Sequence, residues 1–302
     1  MITGLGAGSA SGESLRYEQL LASYVLNTCE FRLSLTTGVP VTTTDVTGAT
    51  TIYCAPYKGN RIALYDGTNW NLRTSAQFSL ALGTLTSGLP YDVFCYDNSG
   101  TPTLEFTAWT NGTTRATALT TQNGVLSKTG ALTRRYLGTF YTTSTTATED
   151  SVAKRFLWNY YNRAVRPMYV LGQGNYDYTL GTIRQAGGGT TNQLAFIIGV
   201  AEDAVSARVS ALAANTSAGV EIFTGIGVNT TTDFTTTGAT IGTATTAVAN
   251  YKIAMHASLE YVPSVGYTYL SHNEKSTATG TTHWEALTAF SYQVGIMGRV
   301  LA

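Results

Sequence analysis

From Phe31 onward, apolar and polar residues alternate in short runs separated by turns rich in Gly, Asn and Asp. That period of two belongs to half-buried strands. Residues 61–65 (Arg-Ile-Ala-Leu-Tyr), the turn Asp66-Gly67-Thr68-Asn69 and residues 70–73 predict a hairpin on an Asp-Gly turn. A second hairpin is predicted from residues 91–96 and 103–109 around Asp97-Asn98-Ser99-Gly100. Further turns are expected at Asn111-Gly112 and Asn123-Gly124, and residues 134–142 alternate strongly. In the second half, strands are expected over 168–171, 192–199, 204–213, 220–228, 248–262, 266–272 and 292–301, with a Thr-rich loop at 230–246.

Two segments depart from this period. Residues 13–25 place Leu15, Leu20, Leu21, Tyr24 and Val25 near one helical face, after a loose Gly/Ser-rich stretch at 1–12. Such an arm and helix either dock on another subunit or lie across their own sheet. Leu15, Tyr17, Leu20, Leu21 and Tyr24 are the candidate anchoring or oligomer-interface residues. The second segment, from Thr148 to about Arg163, reads as the one long helix. Thr148 is its N-cap, Glu149 and Asp150 complement the dipole, and Pro167 stops it.

The expected fold is therefore mainly β, with a flexible N-terminal arm and two β-rich domains. Residues 1–28 form the arm and short helix, and 29–166 a β-domain closed by the long helix. Residues 167–302 form a jelly-roll-like β-sandwich. No internal repeat stands out, which argues against a propeller or β-helix.

Composition sharpens this. About one residue in six is Thr, and charged residues are 12% of 302, roughly half the usual share. Hydroxyls on β-branched side chains thus replace charge on the solvent face. Eighteen basic and eighteen acidic residues cancel, so no nucleic-acid footprint is expected. No apolar run approaches the ~20 residues of a membrane span, and the N-terminal residues lack the pattern of a secretory signal. Synthesis in a cytosol is expected. The spacing of Cys29, Cys54 and Cys95 fits neither a zinc site nor a CxxC motif. Reduced core thiols are expected, with a disulfide between neighbouring strands (Cys54 with Cys95) as the alternative.

One resemblance runs through the first half. The segment from Arg32-Leu-Ser-Leu-Thr-Thr-Gly to Thr-Ile-Tyr53 leads into Pro56-Tyr-Lys-Gly-Asn-Arg-Ile-Ala-Leu-Tyr-Asp-Gly67. Next come Leu80-Ala-Leu-Gly-Thr-Leu-Thr-Ser-Gly-Leu-Pro-Tyr-Asp-Val-Phe94, Tyr96-Asp-Asn-Ser-Gly100, Arg134-Arg-Tyr-Leu-Gly-Thr-Phe140 and Ala153-Lys-Arg-Phe-Leu-Trp-Asn-Tyr-Tyr-Asn-Arg163. Together, over about residues 31–168, they resemble a module of tailed-phage and prophage virion proteins, generally labelled tail fibre or minor tail. The resemblance implies a virion structural protein, fibre- or spike-like, held by its N-terminus to tail or capsid. It implies a homotrimer whose partners are itself and other virion proteins, with a distal β-domain facing the host. A capsid decoration (cement) protein is the alternative, and a polysaccharide-degrading tailspike a more remote one. No catalytic residue carries over.

The residues themselves offer little chemistry. His256, His272 and His283 show no metal-ligand spacing, GxSxG is absent, and Gly187-Gly188-Gly189 lacks the lysine of a phosphate loop. Glu202, Asp203, Glu221, Glu260, Glu274 and Glu285 form no evident glycosidase pair. No enzyme activity, metal or cofactor is expected. Tyr267, Tyr269, His272, His283 and Trp284 are candidates for binding a host-surface glycan, or else strand core and cross-strand pairs.

Overall fold

The computed structural model describes residues 26–172, 174–285 and 293–302. They are mainly β, and among them the one helical element is a single 3-10 turn at Ala186–Gly188. The anchoring candidates Leu15, Tyr17, Leu20, Leu21 and Tyr24 lie outside the described residues. The chain forms two compact units. The first takes residues up to Thr43, then Ala49–Ala147 and Asn159–Asn162; the second takes Thr44–Gly48, Thr148–Trp158 and Arg163–Ala302.

In the first unit, Phe31–Ser34, Thr51–Pro56 and Phe78–Ala81 form one antiparallel sheet. A second runs, in spatial order, Thr101–Ala108, Pro90–Asn98, Ala131–Tyr141, Val125–Lys128 and Leu119–Gln122. Both expected hairpins form, as Arg61–Tyr65 with Trp70–Thr74 and as Pro90–Asn98 with Thr101–Ala108. Local chemistry explains the first turn. Asp66 Oδ1 accepts from the amides of Thr68 and Asn69, both at 2.7 Å, and Gly67 takes φ 107°. Phe31, Ile52, Ile62, Leu64, Val93, Phe94 and Phe140 fill the interior. Cys29, Cys54 and Cys95 are free thiols, and burial raises the pKa of each.

The expected helix over 148–163 is not there. The segment instead supplies strands Thr148–Asp150, Lys154–Arg155 and Leu157–Asn159. Tertiary pairing overrides the capping signal. Asn159 accepts from the Leu33 amide at 2.7 Å and donates to the Leu33 carbonyl at 3.3 Å, standing in for a neighbouring strand. Asn162, at φ 54°, donates to the carbonyls of Cys29 and Phe31 at 2.8 and 3.0 Å. A left-handed residue at this position cannot continue a right-handed helix.

In the second unit one sheet is ordered Thr148–Asp150, Lys154–Arg155, Gln193–Ile198, Gly266–Lys275, Glu221–Val228 and Gly242–Thr245. The pairing of Lys154–Arg155 with Gln193–Ile198 is parallel. The other sheet is ordered Val165–Leu171, Gly295–Leu301, Val205–Asn215, Ile253–Tyr261 and Ala239–Thr240, and Thr282–Glu285 pairs with the end of Val205–Asn215. Alternation sets the faces: Met255, Ala257 and Leu259 are buried while His256, Ser258 and Glu260 are exposed. A cluster of Ile222 with Tyr178, Ala211, Ala213, Met255 and Trp284 joins strands of both sheets. Elsewhere in this unit Asp150 binds two buried arginines, Arg155 at 3.0 Å and Arg166 at 2.8 Å.

Candidate ligand-binding region

The five aromatic and histidine candidates do not converge on one surface. Tyr267 and Tyr269 are alternate residues of Gly266–Lys275, half-buried, with ring centroids 6.4 Å apart. Tyr267 also packs on Phe156 at 5.9 Å. Thr268, Leu270 and His272, at the alternating positions, point to the opposite face and are buried. His272 Nε2 lies 2.9 Å from Thr224 Oγ1, and burial lowers its pKa to about 4. Trp284 is 2% exposed and belongs to the core cluster, so its ring is not offered to solvent as a sugar-stacking platform. Its indole nitrogen has no hydrogen-bond partner among the described residues.

His283 does face outward. Thr282–Glu285 pairs with Tyr176–Tyr178, setting His283 opposite Asp177, and His283 Nδ1 lies 2.5 Å from Asp177 Oδ1. Asn175, Tyr176, Asp177, His283, Trp284 and Glu285 line a depression of about 470 Å³. Lys252 pairs with Glu285 at 2.8 Å.

A polar network with Tyr176 as a member extends from this depression. Tyr176 donates its hydroxyl to Glu274 Oε2 at 2.7 Å, and Arg184 Nε donates to Oε1 at 2.8 Å. The Arg184 guanidinium also sits 3.7 Å from the Tyr178 ring centroid. The Glu274 side chain is 0% exposed, and burial raises its pKa against the opposing pull of Tyr176 and Arg184. Burial likewise raises the Tyr176 hydroxyl, with the Glu274 charge adding to the effect. This enclosed carboxylate fastens Ile183–Gln185 and Tyr176–Tyr178 to Gly266–Lys275. Local spacing marks Glu274 only as a scattered acid and gives no sign of Tyr176, Asp177 or Arg184. Their partners lie 90 to 106 residues away along the chain, beyond the reach of any local pattern.

Among the described residues no group of three or more His, Cys, Asp or Glu is placed to hold a metal ion. No helix among them is long and apolar enough to cross a membrane.

No family model and no curated protein matches the chain. Among solved structures it is similar to a Bacillus thuringiensis Cry1Da tryptic core variant, at 9% identity and a TM-score of 0.22. The match covers 84% of this chain and 48% of that one, so the chain spans about half that structure's length. Such a TM-score is too low to bear on fold or function.

Proposed function

We propose that this protein is a bacteriophage virion structural protein, fibre- or spike-like, anchored through residues 1–28 to tail or capsid. The observation that carries the reading is the ordered set of motifs over residues 31–168. Those motifs supply strands that pair with one another. Ser34 lies opposite Tyr53, and Tyr91–Phe94 lies beside the stretch from Tyr136 to Phe140. A surface kept wet by threonine and carrying 12% charged residues also suits a particle component. On this reading the protein is a homotrimer located in the virion, and its role is structural, without catalysis or cofactor. Its C-terminal β-domain, of jelly-roll type, is presented to the host surface, where a glycan is the ligand.

Two measurements test the proposal. Light scattering on the purified chain should give a trimer of about 96 kDa, three times 32.1 kDa. Deletion of residues 1–28 should leave soluble oligomers that no longer join particles. Normal incorporation of the truncated chain would defeat the anchoring assignment. A monomer present in hundreds of copies per particle would instead identify a decoration protein.

A further inference from the structure

Almost every guanidinium among the described residues is neutralised or engaged. Arg73 meets Asp97, Arg115 meets Asp92 and Arg184 meets Glu274, while buried Arg135 holds the carbonyls of Thr28 and Ala63. Two stand apart, and they share one sheet face. Arg208 has no hydrogen-bond or ion-pair partner among the described residues, and Arg299 contacts only Ser206 Oγ, through Nε at 3.1 Å.

The sheet register explains why they meet. Arg208 lies opposite Met297, and Ser206 opposite Arg299, on antiparallel neighbours. The arginines are therefore diagonal neighbours, a relation that sets residues about 7–8 Å apart and their Cβ atoms somewhat closer. Tyr169 lies opposite Met297 on the other side, and Pro167 opposite Arg299. The result is two rows, Tyr169–Met297–Arg208 and Pro167–Arg299–Ser206, on the outward face. They line an open depression of about 730 Å³. On the neighbouring strand Glu260 lies opposite Ser206, on the side away from Arg299.

We propose that this face binds a saccharide carrying carboxylate or sulfate groups, with Arg208 and Arg299 holding the anion and Tyr169 packing on the sugar ring. The proposal rests on the host-surface part of the function proposed above and gives its ligand a class and a place. A guanidinium offers paired donors that match the planar carboxylate or the oxygens of a sulfate. Tyr169 is 44% exposed, and with Met297 it supplies an apolar surface beside that charge. Neutral glycans could accept hydrogen bonds from the two arginines but would lack the charge-assisted pairing. The depression is distinct from the His283 region, whose lining includes the carboxylates of Asp177 and Glu285.

Titration calorimetry on the full chain tests this with three oligosaccharides: a hyaluronate tetrasaccharide (carboxylate alone), a carrageenan tetrasaccharide (sulfate alone) and neutral maltotetraose. At least one anionic probe should bind and maltotetraose should not, and the stronger of the two names the anion. Arg208→Ala and Arg299→Ala should each weaken binding roughly tenfold or more. Their melting temperatures should be unchanged, because both side chains are exposed. Tyr169→Ala should weaken binding while keeping the preference for anions. Equal binding of all three probes, binding of none, or full binding by the double arginine variant would overturn the proposal. So would a DNA decamer that binds as tightly as the saccharide and is lost with the same arginines. The double variant should still enter particles at the normal copy number, so failure of the virion reading is scored separately from failure of this one.

Discussion

His272 is neutral in the folded chain because its ring is buried beside Thr224 and water cannot solvate an imidazolium there. Its folded pKa of about 4 lies below the ordinary 6.5. The unfolded chain therefore binds the extra proton first, and stability present above pH 6.5 falls as pH drops toward 4. The loss attributable to this residue should approach roughly 3 kcal/mol, since each pH unit separating the two values is worth about 1.4 kcal/mol. Glu274 acts in the opposite sense, since its raised pKa makes protonation favour the folded state as pH falls. Urea titrations at pH 7, 5 and 4 should show a steep acid loss in the natural chain and a shallower one in His272→Gln. A second prediction concerns Asp150. Its removal leaves Arg155 and Arg166 buried without their shared counter-charge. Asp150→Ala should cost about 3–5 kcal/mol in equilibrium unfolding.

At the scale of elements, the hairpins are legible because their instructions are local: Asp66 and Asp97 bond amides two or three residues on. Alternation likewise marks Val205–Asn215 and Ile253–Tyr261. The stretch after Thr148 reads wrongly as a helix because what decides it is remote. Asn159 serves Leu33, 126 residues away, and no pattern around Asn159 announces that partner. The same reason hides the pairing of Asp177 with His283 and leaves Trp284 open between ligand-binding aromatic and strand core until the fold buries it. Asn159→Ala should strip the Leu33 amide and carbonyl of their partner and cost about 2 kcal/mol. Asn162→Gly, which keeps the left-handed backbone, should cost less than Asn162→Ala. Paired chemical denaturation curves for each variant check both expectations.

At the scale of the whole molecule, the chain enters the second unit more than once. Thr148–Trp158 and Arg163–Ala302 both belong to it, and Lys154–Arg155 pairs directly with Gln193–Ile198. A fragment beginning at residue 167 loses that strand and with it Asp150, Arg155 and Arg166. It should therefore be far less protease-resistant than a fragment beginning at residue 148, and limited proteolysis of the two compares them. The first unit carries a different consequence in its three reduced sulfurs. Cys54 and Cys95 are buried, and a thiol that ionises only far above neutrality reacts slowly with alkylating reagents. Their modification must wait for the surrounding strands to part, so its rate times that opening. Natural sulfur chemistry thus gives the protein an internal clock, readable by mass spectrometry without any introduced label.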